Sequence, residues 1–135
     1  MKCLMVFFFV IILTSCHLND TRTEIHRAKV SIKNKIICIT LPDSKDESII
    51  QSNINEIGND RKTASKHIIM TTDSIVEADQ CLPNYGFYFE KGRSYVFSVD
   101  TIKVKEGRKI KNGNSYNVTF SVEDNEGELS VENIN

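Results

Sequence analysis

The chain has 135 residues, with 17 Lys and Arg against 18 Asp and Glu and a net charge of −1. A balance this even, with both signs interspersed, gives no sign of a nucleic-acid partner. The length suits one domain with a modest core.

The N-terminus carries the strongest signal. Lys2 precedes Leu4 to Leu13 (LMVFFFVIIL), an unbroken apolar run of ten residues. A spanning helix needs about 20 residues, so the run has the length of an export signal. It ends in Leu13-Thr14-Ser15-Cys16, where small residues let an extended chain enter a peptidase and a cysteine stands directly after the cut. This resembles the bacterial lipobox, which implies a diacylglycerol on the Cys16 thiol and cleavage before it. The alternatives are an ordinary signal peptide that meets a cysteine, or an N-terminal membrane helix. Several acyl chains on one residue would hold the protein at a membrane, since each buried methylene contributes about 0.8 kcal/mol. His17, rather than Asp, follows the cysteine, and by the enterobacterial sorting rule that implies the outer membrane. The expected organisation is a signal peptide over 1–15, a lipidated tether over 16–27 and a β-domain over 28–135. Loss of Lys2 leaves 16 basic against 18 acidic side chains.

Cys3 leaves with the signal peptide and Cys16 is consumed by lipid, so Cys38 and Cys81 remain. Two cysteines in an exported chain most simply form one disulfide, closing a loop of about 43 residues that the chain-entropy model values at roughly 4 kcal/mol. Two buried thiols are the alternative. A redox or zinc role finds no support, because no Cys-x-x-Cys occurs and His26 and His67 bear no spacing relation to either thiol.

Residues 17–27 (HLNDTRTEIHR) are polar and without sustained period, as a tether should be. From Ala28 the pattern is that of strands. Val30 and Ile32 alternate with Lys29, Ser31 and Lys33, Asn34 offers a turn, and Ile36 to Leu41 follows. Pro42 to Glu47 reads as a charged loop. Ile49 to Gly58 admits either a helix, with Ile50, Ile54 and Ile57 on one face, or a strand through Ile50, Ser52 and Ile54; its β-branched content favours the strand. His67 to Met70 is a short apolar strand, and Thr71 to Gln80 a polar connection. After Phe87-Tyr88-Phe89 and a turn at Glu90 to Gly92, Tyr95, Phe97 and Val99 share one face of a strand over 93–100. Residues 101–114 are lysine-rich and read as an exposed extension. Tyr116, Val118, Phe120 and Val122 alternate in the next strand, and a turn over 124–127 leads to a last strand with Leu129 and Val131. About seven short strands without a long helix imply an all-β, immunoglobulin-like antiparallel sandwich.

No catalytic constellation emerges: His17, His26 and His67 are scattered, and no serine sits in a Gly-x-Ser-x-Gly elbow. Asp124 and Glu126 could contact a cation, although a solvated hairpin turn is the better reading of them. Lys103 to Lys111 could steer an acidic partner or simply protect a sheet edge. The reading is therefore of a protein that is not an enzyme and needs no metal or cofactor.

Ile37-Cys38-Ile39-Thr40-Leu41-Pro42, Glu56-Ile57-Gly58 and Cys81-Leu82-Pro83-Asn84-Tyr85-Gly86-Phe87-Tyr88-Phe89-Glu90-Lys91-Gly92 with Tyr95, together with the lipobox, resemble the type VI secretion immunity periplasmic lipoproteins of enterobacteria. The resemblance spans most of the chain after Cys16, residues 43–47 and 101–114 excepted. It implies a small β-domain held in the periplasm that binds and neutralises a cognate toxin injected by neighbouring cells. A lysozyme-inhibitor-like lipoprotein and a structural envelope lipoprotein are the alternatives. Tyr85 and its loop are the candidate partner-binding element, packing over the Cys38–Cys81 bridge being the other role open to them.

Overall fold

The computed structural model describes residues 23–67, 75–105, 108–110 and 113–134. These form ten strands: β1 (Glu24–Arg27), β2 (Lys29–Lys33), β3 (Ile36–Thr40), β4 (Glu47–Glu56), β5 (Thr63–His67), β6 (Ile75–Val76), β7 (Arg93–Lys105), β8 (Arg108–Ile110), β9 (Asn114–Asn125) and β10 (Glu128–Ile134). The fold is the all-β sandwich class that the alternating pattern implies, with its strands divided unevenly. Eight of them make one sheet of order β1-β9-β7-β4-β5, in which β10 also pairs with β9, β6 with β4 and β8 with β7; β2 and β3 form a second, two-stranded layer. All pairings are antiparallel except that of β1 with β9.

Period-two alternation builds the core. Tyr95, Phe97 and Val99 of β7 and Tyr116, Val118, Phe120 and Val122 of β9 face inward, where they meet Ile49 and Ile54 of β4 and Val30, Ile39 and Leu41 from the small layer. Burying such side chains contributes about 1.5–3 kcal/mol each relative to exposure. The segment open to two readings, Ile49 to Gly58, is strand to Glu56. Its inward set is Ile49, Ser52 and Ile54 and excludes Ile50, because the register with β7 shifts between Ile49 and Gln51. A β-bulge of this kind reverses the alternation, which no periodicity argument anticipates.

Three expectations need correction. Residues 101–114, read as an exposed extension after a strand ending at 100, instead continue β7 to Lys105 and add β8, with Thr101 and Asn114 buried, because a polar, lysine-rich stretch hides its pairing partners. The tether read over 16–27 gives way at Glu24, where β1 pairs parallel with Asn114–Asn117. The chain then passes into the small layer at Ala28, whose N–H donates to the Asn117 carbonyl at 3.0 Å. Glu47, placed in a loop by its charged neighbours, is the first residue of β4 and is 1% exposed. Of the expected strand 67–70, only His67 lies within the described residues, at the end of β5.

The sandwich has two unlike ends. The 34–35 turn, the 57–62 connection, the 83–92 loop and the 126–127 turn gather beyond Glu56, Arg93 and Asn125. At the opposite end stand Glu24, where the chain enters the sheet, the β7–β8 hairpin and the start of β9. Tight turns close the first end. Asn34 and Lys35 (φ 52 and 63), and Glu126 and Gly127 (φ 55 and 91), are two-residue hairpin loops with the positive φ that matches strand twist. The Gly127 N–H also donates to Asp124 Oδ1 at 2.7 Å. Asp124 and Glu126 therefore belong to a hairpin turn, the plainer of the two readings open to them.

Candidate partner-binding surface

Cys38 and Cys81 are joined in a disulfide with Cα atoms 5.0 Å apart. Beside it the Leu82 N–H donates to the Ile39 carbonyl at 2.8 Å, so the 77–92 segment is fastened along β3 before it crosses the hairpin end. Asn84 shapes the next turn: its Oδ1 accepts from the Gly86 N–H at 3.2 Å, and its carbonyl from the Phe87 N–H at 2.9 Å. Phe87 and Phe89 then turn inward, making edge-on contacts with the Tyr95 ring at 5.7 and 5.0 Å. The residue between them is thrown outward, and Tyr88 is 73% exposed. Tyr85, held at φ 53, is 40% exposed, and partial burial raises its phenol above the usual range.

Lys62 reaches under this loop from the β4–β5 connection. Its Nζ lies 2.6 Å from Glu90 Oε1 and 3.1 Å from Glu56 Oε2, with the Phe87, Tyr88 and Tyr95 rings 5.7, 5.9 and 5.9 Å away. Two carboxylates and three aromatic faces thus surround one ammonium. The hydrogen bond to Glu90 is the main reason that Lys62 holds its proton more tightly than an ordinary lysine. The hydrogen bond from Lys62 is likewise the main reason that the Glu56 carboxyl titrates below its usual range. Tyr95 OH accepts from the Glu90 N–H at 2.7 Å. Tyr88 is therefore presented from a braced loop, so little conformational entropy remains for that loop to lose.

Beside the loop, Lys91 pairs with Asp124 at 2.6 Å. A cleft of about 340 Å³ opens there between Ile32 and Lys35 on one side and Gly127 to Leu129 on the other. The hairpin end thus carries an exposed aromatic, a charged pair and a concave site.

At the opposite end is a buried polar cluster that sequence reasoning missed. Glu47 Oε2 lies 2.6 Å from Thr101 Oγ1, Glu47 Oε1 accepts from Asn114 Nδ2 at 2.6 Å, and Tyr116 OH is 3.0–3.1 Å from both oxygens. Burial, above all, pushes the Tyr116 phenol up to about 12. His26, expected in the tether, is in β1 with its ring stacked on Tyr116 at 5.2 Å. Its buried Nε2 makes no hydrogen bond among the described residues, although Glu24 Oε2 is 3.4 Å away and Asp43 Oδ2 is 3.7 Å from Nδ1. Every donor to Glu47 comes from β7 or β9, so the cluster clasps the first residue of β4 to the sheet.

Of the residues singled out from sequence, Cys38 and Cys81 meet as expected, Tyr85 sits on the exposed loop, and Cys16 lies outside the described residues. Tyr88 and Lys62 were not foreseen. The Phe-Tyr-Phe alternation could have marked Tyr88 as the outward member, whereas nothing local to Lys62 announces a contact 28 residues away.

Residues 25–125 match the family model described as a domain of unknown function (DUF7480), and the chain belongs to that family. No curated protein and no solved structure matches it.

Proposed function

We propose that this DUF7480 protein is a lipid-anchored binding module of the bacterial envelope, which acts by occupying a partner protein with its hairpin end. The single observation that carries the reading is the braced aromatic loop, with Tyr88 73% exposed above the Lys62, Glu56 and Glu90 cluster. Exposed, conformationally restrained aromatics flanked by charge are what interface hot spots are made of. The loop also lies at the end opposite Glu24, so a chain tethered through Cys16 directs it away from the membrane. The sequence resemblance to type VI immunity lipoproteins supplies the class of partner: a toxin delivered into the periplasm, neutralised by stoichiometric binding.

The test is a pull-down with the full chain after residue 15 against the product of the neighbouring gene. Tyr88→Ala is expected to weaken the complex about 30-fold, the loss of one hot spot of about 2 kcal/mol. If no neighbouring toxin binds and deletion mutants compete normally against armed siblings, a lysozyme-inhibitor-like or structural role replaces this one.

A further inference from the structure

Lys62 occupies a site built like a receptor for a cation. Its side chain is 24% exposed and that of Glu90 48%, so the ion cluster opens to solvent instead of being sealed in the core. Tyr88 forms the outer wall, its ring 5.9 Å from the ammonium and mostly in solvent. Glu56 forms the floor at 3% exposure, and a carboxylate so placed needs a cation beside it. Arg93, itself exposed, stands at the margin with Nε 3.9 Å from Glu56 Oε1. Counting it, the site is formally neutral with Lys62 in place and carries one negative charge without it. The other cations nearby are answered elsewhere: Lys91 pairs with Asp124, and exposed Arg61 adjoins exposed Asp60. Lys62 reaches the site only through its side chain. Its backbone is held in the 57–62 connection, where its N–H donates to the Asn59 carbonyl at 3.0 Å and its carbonyl accepts from the Glu56 N–H at 3.1 Å. Rotation about side-chain bonds therefore empties the site without undoing the turn.

We infer, on the reading of the hairpin end as the partner face, that this site receives an arginine side chain of the partner protein, and that Lys62 fills it until the partner arrives. The present occupant selects the ligand class. A space that holds an ammonium between two carboxylates and three aromatic faces takes another cationic side chain, and neither an anion nor an apolar group. Arginine fits it better than lysine, because a planar guanidinium reaches both carboxylates with its fork and stacks on the exposed Tyr88 ring, where an ammonium is a point charge. The exchange puts one cation in place of another, so Glu56 is never left buried and uncompensated. Tyr88 and the cluster beneath it then act as one recognition element.

The test uses the chain after residue 15 with N-acetyl-arginine amide as probe and N-acetyl-citrulline amide, its uncharged counterpart, as control. The thermal midpoint of Lys62→Ala is expected to rise with the arginine probe, because a ligand that binds only the folded state stabilises it. Half of the effect is expected at a concentration at least about tenfold lower than in the wild type, where Lys62 leaves the site vacant about one-tenth of the time or less. Glu56→Gln added to Lys62→Ala is expected to abolish the response, and the citrulline compound to give none. A second measurement needs no variant. In the wild type, acetylation of Lys62 is expected to quicken at least about threefold under saturating arginine probe, since the displaced amine leaves the carboxylates that hold its proton, while Lys35 is unchanged. If Lys62→Ala does not fold, this arm decides alone. No midpoint response in a folded Lys62→Ala, a response that survives Glu56→Gln, or unchanged Lys62 acetylation overturns the exchange and makes Lys62 a fixed clamp. The pull-down reads the partner proposal separately: its failure beside positive probe results removes the partner and leaves the ligand class of the site, whereas its success with an inert probe overturns the exchange alone.

Discussion

Lys62 and Tyr116 show how single side chains fix the two ends of this sandwich, and each has a pH signature. Glu56 is 3% exposed and depends on Lys62 for compensation, since Arg93 Nε is more distant at 3.9 Å. Its folded-state pKa is lowered, so its contribution to stability is fully present above about 4.5 and is lost as the pH falls through the folded value. Lys62→Met removes that linkage. The urea midpoint of the variant is expected to be lower than wild type at pH 7 and to converge on it toward pH 3, as urea titrations at the two pH values will show. Tyr116 has the opposite sign. Its folded pKa is raised from 10 to about 12, so its contribution is present below pH 10 and lost between pH 10 and 12, where only the unfolded chain sheds the proton. Tyr116→Phe is expected to cost about 1–3 kcal/mol at neutral pH, the range for leaving a buried acceptor without its donor. It is also expected to flatten the alkaline limb of the stability curve, and thermal melts from pH 7 to 11 check both effects.

Strands were the easiest feature to read in the sequence, and their partners the hardest. Alternation in β7 and β9 marks their buried faces because both run straight through the middle of the sheet. In β4 the bulge at Ile50 hides the register, and β1 escaped notice because Glu-Ile-His-Arg is polar and gains its place only by pairing with Asn114 to Asn117, about 90 residues on. The disulfide was legible by elimination, since two of four cysteines had other fates. The Glu47 cluster was not, because Thr101, Asn114 and Tyr116 approach it across 54 to 69 residues. The candidate surface was legible at Tyr85, through its turn residues, but its bracing depends on non-local contacts from Lys62. Two element-scale outcomes follow from this geometry. The bridge closes a separation of 43 residues, so Cys38→Ala with Cys81→Ala is expected to cost about 4 kcal/mol in urea unfolding, and a loss under about 1 kcal/mol would mean that the Leu82 contact to β3 suffices. Gly113 sits where β9 leaves the β7–β8 hairpin, and a Cβ there would run into the Thr101 carbonyl. Gly113→Ala is therefore expected to destabilise by about 1–3 kcal/mol, the usual range for forced overpacking, and to lower the thermal midpoint accordingly.

At the scale of the whole molecule, the function proposed above is one of occupancy, carried by the hairpin end. A protein that works by occupancy must be in the compartment that its partner enters, in sufficient amount and with the correct face free. If the partner is a toxin delivered into the periplasm, protection requires export as well as affinity. Deleting the gene is therefore expected to make cells sensitive to siblings armed with the matching effector, and the intact gene to restore resistance. A copy lacking residues 1–15 keeps all the described strands but, on the reading of 1–15 as an export signal, stays in the cytoplasm, and it is expected to fail. Tyr88→Ala leaves residues 1–15 intact and, with its ring 73% exposed, removes little from the core, while it is expected to weaken the proposed partner face. It is expected to reach the envelope in normal amount and to protect only when overproduced, because an affinity about 30-fold lower is offset by a comparable excess of protein. Competition assays at graded expression, with immunoblots of the membrane fraction, separate these outcomes. Full protection by Tyr88→Ala at native expression would move the partner surface away from the hairpin end, and protection by the unexported copy would move the partner out of the periplasm.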